Sequence, residues 1–200
     1  MAWDALLALK PEAVCKNALA AFDADTSTYT VGSFGLEFSV DTLKREIGCP
    51  HHEGKVFTGK FQEYLRLALL MYLASAKDIP ATGRLVKPSD VKGGQIYVSG
   101  THVLPLVEVA ERFAMDAQGF IDKGRSFGAE LVEDKGDAAI RLSPLPRIPV
   151  TMILWLQDDE DGFEPMANLL FDSTLDFQVA PDVGWSLAMC CCMAMLGSAS

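Results

Sequence analysis

Cys49, Pro50, His51 and His52 are consecutive, and they place one thiol and two imidazoles in a segment with the composition of a turn. Thiolate and imidazole groups are the usual sulfur and nitrogen ligands of zinc, which needs three or four of them in one place. His102 could complete the set if the fold brought it close. Cys49, His51 and His52 are therefore a candidate metal site. The alternative is an ordinary polar loop, because structural zinc sites usually show two spaced ligand pairs.

A second thiol cluster consists of Cys190, Cys191 and Cys192. Consecutive helical residues point in different directions, so the three thiols cannot all bind one metal ion. Packing inside a buried helix explains them, and a thiolate contribution to the Cys49 site is the open alternative. The chain has 5 cysteines, an odd number without the spacing of a disulfide framework. This pattern predicts reduced thiols and a cytoplasmic location.

Three further segments invite comparison with known binding or catalytic motifs. The acidic run from Asp158 to Gly162 does not fit a calcium-binding loop, because aligning Gly162 with the loop glycine puts Asn168 at the bidentate position. Lys92-Gly93-Gly94 lacks the rest of a phosphate-binding loop, and Gly32-Ser33-Phe34-Gly35 has the pattern of a hairpin and not of a nucleophile elbow. The acidic run is therefore predicted to be a solvated turn.

The composition is that of an acidic globular domain. The 200 residues include 17 Lys and Arg against 27 Asp and Glu, which gives a formal charge of −10, and 50% are hydrophobic. This charge repels phosphate backbones and anionic lipid, so nucleic-acid binding is not expected. The longest apolar run, residues 183–196, is shorter than the roughly 20 residues that a membrane-spanning helix needs. No membrane span is expected.

Apolar residues at helical spacing predict four helical regions. Residues 3–22 form the first, with Pro11 at an early position of its second part, where a missing N–H is tolerated. Residues 61–77 give the clearest helix, because Phe61, Leu65 and Leu69 share one stripe while Arg66 lies on the other face. Further helices are predicted over residues 101–127, which Gly128 ends, and from about residue 181.

Alternating residues predict the strands. Residues 28–40 have a hairpin pattern, and residues 130–132, 137–142, 150–156 and 169–171 are predicted to be short strands. Pro144, Pro146 and Pro149 are predicted to separate two of these strands, because proline donates no hydrogen bond to a ladder. Residues 87–94 are predicted to be a loop. Helices segregated from closely spaced strands predict an α+β fold, as a single domain over residues 1–200 with a mainly antiparallel sheet packed against helices.

A series of short motifs runs along the chain from Tyr64 to Asp172. They are Tyr64-Leu65-Arg66 with Leu70, Tyr72 and Leu73, then Gly83-x-Leu85-Val86, Gly93-Gly94-x2-Tyr97, Gly136-Asp137-x-Ala139, Pro144-x-Pro146-Arg147-Ile148-Pro149-Val150, Trp155, the acidic turn with Phe163, and Leu169-Leu170-Phe171-Asp172. In these motifs the chain resembles a family of uncharacterised domains of anaerobic bacteria and methanogenic archaea. Some members of that family carry an iron–sulfur cluster-binding segment, but no such cysteine set precedes the domain in this sequence. The resemblance implies a fold and an anaerobic setting, and it implies no particular reaction.

The resemblance selects six candidate ligand-binding residues: Gly93, Gly94, Tyr97, Asp137, Arg147 and Asp172. The two glycines allow a turn or a close approach of the backbone to a ligand. The four polar residues lie at predicted strand ends or in loops, where a side chain can face a cleft. The alternatives are pure architecture for the glycines, an ion pair for Arg147 and a capping role for Asp172.

Two hypotheses of function follow from these residues. The first is an accessory domain that binds a small molecule, a cofactor or a partner protein in anaerobic metabolism. The second is an enzyme in which Asp137 or Asp172 acts as general acid or base while Arg147 holds an anionic substrate. The sequence identifies neither a cofactor nor an oligomeric state.

Overall fold

A computed structural model of the protein describes residues 2–49, 59–97, 102–158 and 160–197. Within these ranges the helices are α1 (Ala2–Leu7), α2 (Pro11–Ala18), α3 (Gly59–Ser75), α4 (Leu106–Arg112), α5 (Ala117–Arg125), α6 (Leu175–Gln178) and α7 (Pro181–Leu196). The strands are β1 (Ala21–Asp23), β2 (Thr28–Ser33), β3 (Leu36–Asp41), β4 (Glu46–Gly48), β5 (Leu85–Val86), β6 (Glu130–Leu131), β7 (Ala138–Leu145), β8 (Ile148–Trp155) and β9 (Met166–Asp172). The α+β prediction is confirmed.

The two predicted long helices at residues 3–22 and 101–127 are each divided. Pro11 begins α2, and the residue before a proline is disfavoured in the helical region, so α1 ends ahead of it. Leu19 then adopts a positive φ of 51°, and Phe22 lies in β1 instead of extending the helix. In the second region the Asp116 carboxylate accepts the Gly119 N–H and starts α5 as a separate helix.

The first sheet is an antiparallel meander in the order β1-β2-β3-β4. The predicted hairpin is confirmed, because Ser33 pairs with Leu36 across a two-residue turn. One face carries the buried side chains of Tyr29, Val31, Phe38 and Val40, and the other face is polar. β4 pairs only with β3 among the described strands, so its second edge is left to side chains from α3.

The second sheet is antiparallel in the order β5-β9-β8-β7-β6. The proline segment does not separate its strands as predicted: β7 and β8 form a tight hairpin around Pro146 and Arg147, with Leu145 paired to Ile148. Pro144 and Pro149 belong to the two strands, but the register shifts between Leu142 and Leu145, and neither proline takes part in the paired register there. Proline is tolerated in this hairpin because a bulge removes the need for its N–H.

The core lies between the second sheet and helices α3, α4, α5 and α7, and it continues under the inner face of the first sheet. The predicted stripe of α3 is buried, with Leu65, Leu69 and Tyr72 each no more than 1% exposed. α7 is buried on nearly every side. Residues 88–90 and 94–97 form two short 3-10 turns that pack against each other. No helix among the described residues is both long enough and apolar enough to span a membrane.

Candidate functional site

The Arg147 side chain is buried and connects the end of α2 to the segment that follows α3. Its side chain is 7% exposed, and its guanidinium donates to the carbonyl oxygens of Lys16 (3.0 Å) and Asn17 (2.5 Å) at the end of α2. The same group forms an ion pair of 2.6 Å with Asp78 after α3. A cation at a helix C-terminus also interacts favourably with the helix dipole. Three of the five N–H donors of the Arg147 guanidinium are thus used by the protein itself.

Asp172 is a second internally satisfied group, at the end of β9. The carboxylate is 3% exposed and accepts the backbone N–H groups of Thr82, Gly83 and Thr174 as well as the two threonine hydroxyls. Burial raises the pKa of Asp172, but these hydrogen bonds outweigh burial and lower the pKa below its usual value. The carboxylate ties the loop after α3 to the second sheet.

Asp137 lies at the other end of the second sheet from Arg147. It directly precedes β7, whereas Arg147 follows that strand, and eight strand residues span about 25 Å. Asp137 is exposed, and its carboxylate accepts the Leu156 N–H at 2.7 Å. Asp137 and Arg147 therefore do not share one site, and the structure brings only Arg147 and Asp172 to the same sheet end.

Gly93, Gly94 and Tyr97 lie together beside the start of α7. Gly93 has a φ of +70°, and a Cβ atom added to it would lie 3.2 Å from the Cβ of Pro181, while a Cβ atom on Gly94 would overlap the carbonyl oxygen of Pro88. The Tyr97 hydroxyl donates to the Pro181 carbonyl at 2.7 Å, and burial raises the pKa of this phenol. The ring lines a cleft of about 210 Å³ with Lys87, Ser89, Leu106 and Asn168. That volume is below the range typical of drug-sized ligand sites.

The candidate metal residues fall partly outside the described ranges. Cys49 follows β4 and is partly buried, whereas His51 and His52 lie outside the described residues. Cys190, Cys191 and Cys192 are buried in α7, and burial raises the pKa of all three thiols, that of Cys192 to about 12. In the part of the chain that the structure describes, no three His, Cys, Asp or Glu side chains are grouped closely enough to bind a metal ion.

A larger concave site lies along the edge of β4 that pairs with no described strand, and we call it the β4 groove. Its volume is about 660 Å³. It is formed by Trp3 of α1, by Ser39, Asp41, Lys44, Arg45, Glu46, Ile47 and Gly48 of the β3–β4 hairpin, and by Arg66, Leu67 and Leu70 of α3. Trp3, Ile47, Leu67 and Leu70 supply apolar surface, and the charged side chains stand around it.

Hydrogen bonds and ion pairs of the β3–β4 hairpin hold the charged side chains of the β4 groove in place. The Asp41 carboxylate accepts the N–H groups of Leu43 (3.0 Å) and Lys44 (2.8 Å), and it forms an ion pair of 3.1 Å with the Lys44 ammonium. The Lys44 N–H and ammonium lower the pKa of Asp41, which keeps that carboxylate ionised. Arg45 reaches across to α1 and pairs with Asp4 at 2.9 Å. Two of the three cations in the groove are therefore already matched by carboxylates.

Arg66 is the third cation, and its environment differs. Its guanidinium donates to the Ile47 carbonyl at 2.8 Å, which satisfies one acceptor of β4 and orients the Arg66 side chain. Among the residues described, no carboxylate lies within ion-pair distance of Arg66. The guanidinium thus keeps donors and a full positive charge for a ligand in the groove.

Sequence reasoning missed the β4 groove. Two features of the sequence pointed to Arg66: it belongs to the Tyr64-Leu65-Arg66 motif of the family resemblance, and it lies on the polar face of the predicted α3. Trp3 and the residues of the β3–β4 turn are separated from Arg66 by more than twenty positions, so only the tertiary fold shows that they meet.

Comparison with known proteins gives one match. The model of the family described as "Domain of unknown function (DUF3786)" matches residues 10–194. The expected resemblance to an uncharacterised family is confirmed at that level. No curated protein and no solved structure matches the chain.

Proposed function

The chain belongs to the DUF3786 family of domains of unknown function, and we propose that it is a binding domain whose β4 groove holds a small organic anion. The observation that carries this proposal is an oriented guanidinium at Arg66, which forms no ion pair with any described carboxylate, beside an apolar wall in a groove of about 660 Å³. The volume lies in the range of 300 to 1,000 Å³ that is typical of small-molecule sites.

Charge supports an anionic ligand. The protein as a whole carries −10, so a free anion is repelled by most of its surface and can bind only where a local cation outweighs this repulsion. Within the groove, Lys44 and Arg45 are paired to Asp41 and Asp4, and Glu46 adds one more negative charge to the lining. Arg66 is the remaining cation of the lining, and its guanidinium can bind a carboxylate or phosphate in a bidentate manner. The ligand's anionic group would lie at Arg66.

The apolar side of the groove supports a ligand with an organic body. Trp3 offers a partly buried indole, and Leu67 remains 50% exposed on α3 beside it. A flat or aliphatic body packed on these residues removes apolar surface from water at about 25 cal/mol per Å². Free inorganic phosphate would use Arg66 alone, so the groove favours an organic carboxylate or phosphate ester.

The wider setting is part of the same proposal. The family resemblance supports a role in anaerobic metabolism, and five cysteines without a disulfide support a reducing compartment such as the cytoplasm. An accessory binding role is favoured over the enzyme hypothesis, because Arg147 and Asp172 have their polar groups satisfied inside the fold and Asp137 lies at the far end of the sheet.

The proposal is tested by ligand binding to the purified full chain. Native mass spectrometry of protein purified from cells identifies a copurifying small molecule, and thermal shift with aromatic carboxylates, aliphatic dicarboxylates and nucleoside monophosphates ranks the classes. We expect an organic anion to raise the melting temperature and to change the Trp3 fluorescence. Arg66→Gln should weaken its binding about tenfold or more, since it removes a charged hydrogen bond.

Arg125→Gln is the matched control. Arg125 lies on α5, is exposed and contacts Asp122 only at 3.4 Å, so the substitution removes the same charge away from the groove. This variant should bind the anion like the parent protein. Equal binding by Arg66→Gln, or a preference for ammonium compounds over all of the anions, would refute the proposed function.

A further inference from the structure

A second exposed surface lies at the end of the second sheet where β8 ends and β9 begins. Phe163 and Met115 are 64% and 72% exposed, and Met166 is 48% exposed. Met166 pairs with Trp155 across the two strands. Asp158 and Phe163 form an isolated bridge, which holds the turn between these strands together. We call Met115, Phe163 and Met166 the apolar end patch.

Backbone contacts bring the chain segments that carry these three side chains together. The Gln157 N–H donates to the Ala114 carbonyl at 2.8 Å, which joins the segment carrying Met115 to the end of β8. The Asp158 carboxylate accepts the N–H groups of Glu160 (2.9 Å) and Asp161 (3.2 Å), which holds the backbone of these two residues close to Asp158. Large apolar side chains that are exposed to water at the same end of a sheet are typical of an interaction site.

The negative charge of the protein is concentrated around the apolar end patch. The described residues 133–137, 157–158 and 160–164 contain seven acidic side chains and one lysine, which accounts for six of the ten net negative charges of the chain. The two segments adjoin each other, because the Asp137 carboxylate accepts the Leu156 N–H at 2.7 Å. The patch is thus an apolar centre with a strongly acidic rim.

The charge of the rim decides which partner can cover the patch. A second copy of this chain would place a like rim against it, and nucleic acid or anionic lipid would also be repelled. A simple metal ion or a polyamine would match the charge but would leave Phe163 and Met115 in water. Only a partner with both cationic and apolar side chains matches the two features together.

We propose that the apolar end patch and its acidic rim bind a basic amphipathic segment of a partner protein. Lysine or arginine side chains of that segment pair with the rim, and its apolar side chains cover Phe163, Met115 and Met166. Phe163 is the central anchor, because it is presented by the turn with acidic residues on both sides. The inference is independent of the β4 groove.

The test uses a fluorescently labelled amphipathic peptide with lysines on one helical face and leucine and phenylalanine on the other. Its binding to the full chain is followed by fluorescence anisotropy. We expect saturable binding that weakens as salt is raised. Phe163→Ser and the triple variant Glu160→Gln, Asp161→Asn and Glu164→Gln should each weaken binding about tenfold or more. The triple variant keeps Asp158, which holds the turn.

Two control variants and one control peptide complete the experiment. Phe177→Ser removes another exposed phenylalanine, which lies on α6. The combination Glu12→Gln, Asp25→Asn and Glu37→Gln removes three exposed charges elsewhere. Both controls should stay within about twofold of the parent. A peptide with the same lysines but serine in place of its apolar residues should bind about tenfold more weakly.

Four outcomes would overturn the proposal. They are no binding of the amphipathic peptide, equal weakening by the remote charge variant, equal binding of the serine peptide, and self-association of the chain that Phe163→Ser abolishes. Arg66→Gln should leave peptide binding unchanged, so a failure here is distinguishable from a failure of the groove proposal.

Discussion

Arg147 joins three parts of the chain that are distant in sequence. Its guanidinium contacts the last turn of α2 and Asp78, and its backbone N–H donates to the Tyr72 hydroxyl at 3.2 Å. Arg147→Lys should lower the free energy of unfolding by about 3 kcal/mol. The lysine ammonium cannot replace the planar guanidinium, which donates hydrogen bonds to two carbonyl oxygens and one carboxylate at the same time. Urea unfolding measures the difference.

Asp78→Asn is the comparison for this prediction. Asp78 is 41% exposed and also contacts the Lys16 ammonium at 3.1 Å, so its replacement leaves Arg147 bound to the two carbonyls. We expect a much smaller loss of stability than for Arg147→Lys. Similar losses would mean that the ion pair, and not the hydrogen bonds to the carbonyl groups of α2, is the main contribution of Arg147.

Asp172 gives a prediction that depends on pH. Although burial raises the pKa of its carboxyl, the hydrogen bonds from Thr174, Thr82 and Gly83 leave the folded pKa below the unfolded value of about 3.9. Such a group stabilises the fold above the unfolded pKa, and the stabilisation is lost as pH falls through the folded pKa. Asp172→Asn should therefore cost about 2 to 3 kcal/mol at neutral pH and progressively less below about pH 4.

Urea unfolding at a series of pH values tests this dependence. Asp25→Asn serves as the control, because Asp25 is exposed in the β1–β2 turn. Its effect should be small at every pH. A cost of Asp172→Asn that stays constant down to about pH 3 would show that the shape of the carboxamide, and not the loss of the charge, causes the destabilisation.

Residue types indicated that Arg147 and Asp172 have a polar role, but not with which partners. The sequence left open an ion pair for Arg147 and a capping role for Asp172. In the structure Arg147 forms an ion pair with Asp78, and the Asp172 carboxylate accepts a hydrogen bond from the Thr174 hydroxyl. Their partners lie 69 to 131 positions away for Arg147 and up to 90 positions away for Asp172. Such contacts follow from tertiary packing, which local periodicity does not encode.

At the scale of elements, Gly94 shows how closely two 3-10 turns pack. Any Cβ at this position would overlap the Pro88 carbonyl, so the turns at residues 88–90 and 94–97 would have to separate. Gly94→Ala should lower the free energy of unfolding by about 2 kcal/mol or more. Thermal unfolding followed by circular dichroism measures the loss.

Gly32→Ala is the matched control for this substitution. Gly32 lies in β2 and is exposed, and a Cβ added to it would meet no atom within 4 Å. Alanine there should leave stability unchanged or raise it slightly, because glycine is unfavourable inside a strand. If both variants were equally stable, the close packing of Gly94 would not matter for the fold.

The terminal helix α7 gives a prediction about thiol chemistry. Cys190, Cys191 and Cys192 are fully buried, and burial raises the pKa of each thiol, which suppresses the reactive thiolate. Ellman's reagent should modify only Cys49 and, more slowly, Cys15 in the native protein, because partial burial also raises the pKa of the Cys15 thiol. The three helix cysteines should react at the rate of global unfolding, as mass spectrometry of the labelled chain can show.

A Cys15→Ser, Cys49→Ser variant makes this test sharper. In that background the native protein should show no rapid labelling, and all three remaining thiols should react in guanidinium chloride. Rapid labelling of a helix cysteine without denaturant would contradict the burial of α7 and would reopen a thiolate role for it.

The sequence predicted which segments form helices and strands better than it predicted the residues at which they begin and end. The proline segment shows why: the rule that proline avoids a ladder is obeyed, but the chain obeys it with a bulge and not with an interruption between strands. Local pattern also predicted the α3 stripe, because apolar periodicity records burial directly. Local pattern could not predict the β4 groove, because its walls come from α1, the β3–β4 hairpin and α3.

At the scale of the whole molecule, the two sheets are joined by direct contacts. The Phe34 N–H donates to the Ser143 carbonyl at 2.9 Å, and the Ser33 hydroxyl donates to the Pro144 carbonyl at 2.7 Å. The hairpin of the first sheet thus binds the bulge of the second. Tyr72 of α3 adds a hydrogen bond of 3.0 Å to the Ala18 carbonyl and accepts the Arg147 N–H.

These contacts predict one cooperative unfolding transition for the whole chain, as expected of a single domain. Trp3 lies in the β4 groove beside the first sheet, whereas Trp155 ends β8 in the second. Variants that keep one of the three tryptophans and replace the others with phenylalanine should therefore give the same urea midpoint by fluorescence and by circular dichroism. Two separate midpoints, with the Trp3 signal changing first, would instead mean that the sheets unfold as independent lobes and that the Ser33 and Phe34 contacts do not couple them.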